Sequence, residues 1–291
     1  SQLAEYTSSP LGRKLCEELL PSADIQKIRL SQTQTTDALT RVRQKGSISF
    51  AGLRDVGDSL KRLEIGSSLG ISELLSVSSM LTIAARAKAY GRHEDPEMPE
   101  DSLEAMFSML EPLTPLNAEI RRCILSEDEI SDDASPGLRH VRRSMKVLND
   151  RVHSQLNALL NSNRSYLQDA VITMRNGRYC IPVKAEYKSQ VSGMVHDQSS
   201  SGSTFFIEPM AIVKLNNELR ELELAEQKEI DVILAGLSQQ AAEYADMLLE
   251  NIAVLSQLDF IFAKAALSRQ YKGTEPLFNE NRYVEIKSGR H

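Results

Sequence analysis

The sequence predicts a mainly α protein: a multi-helical domain, a long antiparallel two-helix arm, and a small antiparallel β unit at the tip of that arm. Three observations predict it. Glycine and proline are absent between Gly137 and Gly177, and from Met210 to Lys272 only Gly236 interrupts. Long stretches without helix breakers read as long helices. The segment between them, residues 177 to 209, holds Gly177, Pro182, Gly193, Gly202 and Pro209, and its apolar residues shift to a period of two. Finally, 291 residues that are 41% hydrophobic, 25% charged and 5% aromatic describe a globular chain with room for about two domains at ~150 residues each.

The elements follow in order. Ser9-Pro10 opens a helix ending near Pro21, and another spans about 24–45. Periodic runs cover 53–63, 71–91, 101–111 and 115–125, so residues 1–134 read as one helical domain, completed by about 240–291. Ser135-Pro136 places a capping serine before a proline at the first helical position. The seam Leu138, Val141, Met145, Leu148, Val152, Leu156 and Leu159 then marks the outgoing arm helix, placed over 135–170. Asn176-Gly177 signals a type I′ hairpin, because both central residues of that turn need positive φ. In the strand after it, Tyr179, Ile181 and Val183 alternate onto one face and Arg178 and Lys184 onto the other. Pro182 cannot donate to a ladder, which predicts an edge or a bulge there. Two more strands are expected around 191–196 and 204–207, completing a β unit over 171–209. A return arm helix is expected over 210–270, with a seam through Ile212, Leu215, Leu219, Leu222, Ile230, Ile233, Leu237, Ala241, Tyr244, Leu248, Ile252 and Leu255. Its spacing near 3.5 residues is that of a coiled coil. The two helices would run to roughly 45 and 90 Å at 1.5 Å per residue. Residues 283–287 read as a short strand with nothing left in the chain to pair with, which suggests a truncated protein.

Composition excludes several classes. There is no apolar run of membrane-spanning length and no signal sequence. Cys16, Cys123 and Cys180 are odd in number and widely spaced, which fits a reducing cytoplasm rather than a disulfide scaffold or zinc ribbon. A net charge of −6 argues against a uniformly basic nucleic-acid binder. Charge is nevertheless partitioned: residues 134–209 carry ten Lys/Arg against five Asp/Glu, and residues 210–270 carry five against ten. Pairing of a basic outgoing helix with an acidic returning one accounts for this; contact of the basic arm and tip with phosphate is a compatible second reading.

Catalytic chemistry finds little support. His196-Asp197 followed by Ser199, Ser200 and Ser201 invites a nucleophilic reading. Neighbours on a strand point to opposite faces, so Asp197 cannot orient His196 as a triad requires. The histidines His93, His140, His153, His196 and His291 show no metal-ligand spacing, and there is no phosphate-binding P-loop. The chain is therefore read as non-enzymatic, with no catalytic, cofactor-binding or metal residues. The positive feature is the tip, where Arg175, Arg178, Lys184 and Lys188 lie beside Tyr179 and Tyr187 as candidate nucleic-acid contacts. Glu186, Asp197 and Glu208 reduce the tip to near neutrality, so arginines on a solvated face explain it equally well.

The stretch Arg178-Tyr179-Cys180-Ile181-Pro182-Val183-Lys184-Ala185-Glu186-Tyr187-Lys188 resembles the second type of bacterial MutS protein. So do Val195 through Pro209, Leu215-Asn216-Asn217-Glu218-Leu219, Leu3 through Gly12, and Ser49 through Asp55. The resemblance covers essentially the whole chain. It implies a helical core or lever domain, two long helices and a clamp at their far end. Gly289-Arg290-His291 resembles the motif leading into the family's ATPase domain. Residues 271–291 are thus expected to lead into an ATPase domain that is missing here, together with a C-terminal Smr endonuclease domain. ATP and Mg would belong to the ATPase domain, with no cofactor in this chain. The resemblance further implies homodimers in the full-length protein. Their partners would be branched DNA, with suppression of homologous recombination, or stalled and collided ribosomes, with translation rescue; no membrane is implied. The alternative is a coiled-coil scaffold that contacts only protein.

Overall fold

A computed structural model describes residues 2–92, 100–281 and 283–287. His93 and the Gly289-Arg290-His291 motif lie outside the described residues. The order is a 3-10 turn Gln2–Tyr6, then helices α1 Pro10–Glu17, α2 Ile25–Lys45, α3 Gly57–Glu64, α4 Ile71–Gly91, α5 Glu104–Met109 and α6 Thr114–Cys123. There follow strands β1 Ile124–Ser126 and β2 Glu129–Ile130, a 3-10 turn Asp132–Ala134, and helix α7 Pro136–Ser162. Strands β3 Thr173–Arg175 and β4 Arg178–Lys184, a 3-10 turn Ala185–Gln190, and strands β5 Gly193–Gln198 and β6 Thr204–Pro209 come next. Helices α8 Met210–Ala242 and α9 Ala245–Tyr271 complete the fold. It is mainly α with two small antiparallel sheets, as the sequence predicts. The chain divides into two compact units, Ser1–Arg121 with Leu237–His291, and Arg122–Gly236.

The first unit is built around α9. Val254, Leu255, Ser256, Leu258, Asp259, Ile261, Phe262 and Ala263 are all buried, so most of this helix's circumference is covered, with a narrow stripe through Ala253 and Gln257 left exposed. Its buried Asp259 ties down the N-terminus of the chain. One carboxylate oxygen accepts from the Ser8 amide and hydroxyl, both at 3.0 Å. The other accepts from the Ser9 amide at 2.8 Å and its hydroxyl at 2.5 Å. Ser9 Oγ in turn accepts from Gly12 N and caps α1, as Ser9-Pro10 predicts. A Cβ on Gly12 would lie 2.2 Å from that carboxylate, so this close approach requires glycine. Arg41 on α2 is buried as well; its guanidinium meets Asp101 at 2.5 Å, Glu104 at 2.8 Å and the Gly91 carbonyl at 2.8 Å. The last of these satisfies a carbonyl at the end of α4.

The second unit pairs α7 with the first part of α8. Ser135 caps α7 by accepting from Leu138 N. Ser135 also reaches Glu229 and Arg142 reaches Glu226, so the two helices are antiparallel. Leu148, Val152, Leu156 and Leu160 from α7 and Ile212, Leu215 and Leu219 from α8 form one buried cluster with Ile181, Val183 and Ile207 of the sheet. That sheet has the order β3-β4-β6-β5, antiparallel throughout.

Several local expectations are corrected. The helix expected over 210–270 is two helices, with non-helical backbone at Tyr244 (φ −116, ψ 18). Tyr244 leaves the buried seam and is exposed. The outgoing helix stops at Ser162, not 170. The expected strand at 283–287 has no strand geometry, and Val284 and Ile286 stand in solvent. Pro182 lies in an interior strand, paired with Phe206 of β6. Its carbonyl accepts from Gln168 N, so its donor-less nitrogen faces that same irregular segment and no ladder bond to β6 is lost. Cys180 and Pro182 are covered too, so β4 is buried on both faces rather than one.

Candidate nucleic-acid interface on the small sheet

The β3–β4 turn has Asn176 at φ 52 and Gly177 at φ 72, the type I′ geometry that the Asn-Gly pair predicts. Its register sets Arg175 directly opposite Arg178, and residues opposite each other share a face. Two arginines so placed repel, and each has its own acceptor. Arg175 Nε lies 3.1 Å from Asp197, with its guanidinium 3.9 Å from the Phe206 ring. Arg178 reaches Glu208 at 2.6 Å and the Asn217 side-chain oxygen at 2.5 Å.

Glu208 is the centre of this face. It is fully buried, and one carboxylate oxygen accepts from Arg178 and, at 2.7 Å, from the Asn216 amide. The other lies 2.6 Å from His196 Nε2. A β-bulge explains how His196 gets there. Val195 pairs with Ile207 and Asp197 with Phe206, which leaves His196 as the extra residue, and a bulge re-aims the side chain it carries. Asn216, the seventh residue of α8, also bonds the amide and the carbonyl of Tyr179, each at 3.2 Å. It satisfies the backbone of β4 beyond the last β4–β6 pair, Ile181 with Ile207. Burial opposes a charge on Glu208, but the hydrogen bonds from Asn216, His196 and Arg178, with the Arg178 charge, outweigh it and hold the carboxyl below its usual range. Burial, reinforced by the Glu208 charge, pushes the neighbouring Cys180 thiol up to about 11.

The four predicted cations therefore separate. Arg175, Arg178 and, by alternation along β4, Lys184 share one face. Lys184 Nζ lies 3.4 Å from the Ser165 carbonyl. Lys188 sits 4.4 Å from the Phe205 ring, and Phe205 pairs with Val183 on the opposite face. Arg178 is largely committed to an internal carboxylate, whereas Arg175 and Lys188 rest on aromatic rings. The Glu208–His196–Asn216 network escaped the sequence reading because its members come from three elements. Asp197 does pair with Arg175 rather than His196, and Glu208 instead orients the histidine ring. Ser199, Ser201 and Ser203 bond one another, and no serine is hydrogen-bonded to His196 among the described residues. No group of three or more His, Cys, Asp or Glu side chains that could hold a metal ion occurs among the described residues either.

Comparison with known proteins gives a uniform result. The chain is 54% identical over 297 aligned residues to Endonuclease MutS2 of Lachnoclostridium phytofermentans, covering all of this chain and 37% of that protein. Endonuclease MutS2 of Alkaliphilus oremlandii is 40% identical over 99% of the chain, and that of Clostridioides difficile is 40% identical over the same share. The chain is a homologue of MutS2 proteins. It spans 37% of the length of these MutS2 relatives. No family model matches it. No helix among the described residues is long and apolar enough to cross a membrane.

Proposed function

We propose that this chain is the non-catalytic lever and clamp region of a MutS2 protein, and that the small sheet grips the phosphate backbone of nucleic acid. The observation that carries the reading is the cation-bearing sheet of the second unit, in a chain matched end to end by MutS2 proteins. Arg175, Lys184 and Lys188 are the proposed phosphate contacts. Arg178, held by Glu208 and Asn217, adds positive potential and fixes the hairpin. Branched DNA and ribosomal RNA offer the same backbone chemistry, so recombination control and ribosome rescue are both served by it. The endonuclease activity in the relatives' name, and ATP- and Mg-dependent steps, are assigned to the parts of those proteins outside the matched region. A homodimer of the full-length protein would place two such sheets around one substrate.

The test is binding of the chain to a four-way DNA junction, a plain duplex and collided ribosomes across a salt series. Arg175→Glu and Lys188→Glu each take away one cation that neutralises a phosphate. Either substitution should reduce the slope of log affinity against log salt by about 0.9 on duplex DNA. Junction preference identifies DNA as the substrate, and ribosome preference identifies rRNA. Affinity unchanged by both substitutions would overturn the proposed assignment of these cations.

A further inference from the structure

A pocket of about 670 Å³ lies within the first unit, where the end of α1 and the segment after it meet α2 and α9. That volume is in the range of pockets that enclose small ligands. Much of its wall is apolar: Leu15 and Leu19 on one side, Ile28 of α2 and Phe260 of α9 on the other. Leu19 and the adjoining Leu20 are 55% and 79% exposed, so the apolar wall runs out to the surface instead of closing on itself. Lys264 of α9 also lines the pocket and is half-buried, between the buried Ala263 and Ala265. Its Nζ lies 4.6 Å from the Phe260 ring, one turn earlier on the same helix. Among the described residues its ammonium makes no hydrogen bond and no ion pair. Burial holds the amine below its ordinary range. The neighbour that opposes this shift is the Cys16 thiol, itself pushed up to about 11 and therefore neutral at pH 7. An ammonium that has given up part of its water for an aromatic face alone still wants an acceptor.

We propose that this pocket binds a small fatty carboxylate, its carboxylate on the Lys264 ammonium and its hydrocarbon tail along Leu15, Leu19, Ile28 and Phe260. The head supplies the acceptor that Lys264 wants, in surroundings where a charge-assisted hydrogen bond is strong. The tail covers leucine surface that now faces water, which is favourable in proportion to the apolar area removed. Leu20 extends the same path for a longer chain. A phosphate fits less well, because it carries more than one charge and needs several donors. The first amides of α2, at Gln26 and Lys27, are already taken by Asp24, so that helix end offers no cradle for it. Of the two other charged side chains lining the pocket, both exposed, Lys27 is balanced by Glu18. Lys264 is left as a single net positive charge, which one carboxylate matches. The inference goes beyond the nucleic-acid reading and uses none of its residues.

The test is isothermal titration calorimetry of the 291-residue chain with octanoate and with octylammonium, which has the same tail and the opposite charge. Octanoate should bind once per chain, and octylammonium about tenfold more weakly or worse. Lys264→Met keeps an apolar side chain in place and removes the charge. It should weaken octanoate by about tenfold or more and abolish the preference between the two amphiphiles, with its fold checked by circular dichroism. A second measurement needs no variant. Saturating octanoate should slow reductive methylation of Lys264, read by peptide mass, and leave the exposed Lys228 of α8 unchanged. Absence of octanoate binding overturns the proposal, and so does equal affinity for the two amphiphiles. Binding that leaves Lys264 as reactive as before overturns it as well, as does a folded Lys264→Met chain with wild-type affinity.

Discussion

Glu208 and Asp259 perform similar tasks in different units: each is a buried carboxylate that satisfies several donors at once. Removing an acceptor of this kind leaves its donors unsatisfied in the interior, which costs more than the bond itself contributed. Glu208→Ala should therefore destabilise the chain by about 3 kcal/mol in denaturant unfolding. The carboxyl is held below its usual range. Its contribution is thus complete above the unfolded-state value of about 4.3 and is lost as pH falls through the lower folded-state value. The wild-type melting temperature should drop over that acid window, and Glu208→Gln should flatten the drop. Gly12→Ala should cost about 1–3 kcal/mol by pushing a methyl into the Asp259 carboxylate, with the loss read from the same unfolding curves. Ser9-Pro10 was legible as a helix start, because that chemistry is local. Asp259, about 250 residues downstream by the hydrogen bonds that define its role, was not.

At the scale of elements, the sequence was most informative where one or two residues set the geometry. Ser135-Pro136 located the start of α7, and Asn176-Gly177 located the hairpin, because a side-chain cap and a positive-φ pair have few alternatives. The break between α8 and α9 was hidden, since Glu243 and Tyr244 are neither glycine nor proline. The β1–β2 pair escaped notice because three and two residues cannot display a period. The faces of β4 were legible but the burial of both was not, because alternation describes a strand covered on one side only. Gly236 is the converse case: a glycine inside α8 whose added Cβ would meet nothing within 4 Å. Gly236→Ala should raise stability by about 0.5–1 kcal/mol, since packing does not require the glycine and the helix interior disfavours it. Thermal unfolding followed by circular dichroism measures this directly.

For the whole molecule, the division into two compact units has a measurable counterpart in the cysteines. Cys16 lies in the first unit and Cys180 in the second; both are buried, and burial raises both thiols to about 11. A thiol of that kind is inert until its surroundings open. Alkylation under native conditions, resolved by peptide mass, should be slow at both. Asp259→Ala should accelerate labelling of Cys16 while leaving Cys180 slow, and Glu208→Ala should do the reverse. Equal acceleration of both cysteines by either substitution would mean that the two units open as one. The candidate phosphate-binding cations were legible as residue types at the tip, but their division between two faces was not. That division depends on register and on a bulge at His196, neither of which follows from composition.

The junction between β6 and α8 has a mechanical meaning. Pro209 ends the strand and Met210 begins the helix, with no residue between them. Asn216 stitches the first turns of that helix back to β4. A connecting loop would act as slack and absorb a pull on the sheet. Here there is none, so a load on β6 is taken up at once as tension or torque at the start of α8. Whatever the sheet holds, it holds on a short leash.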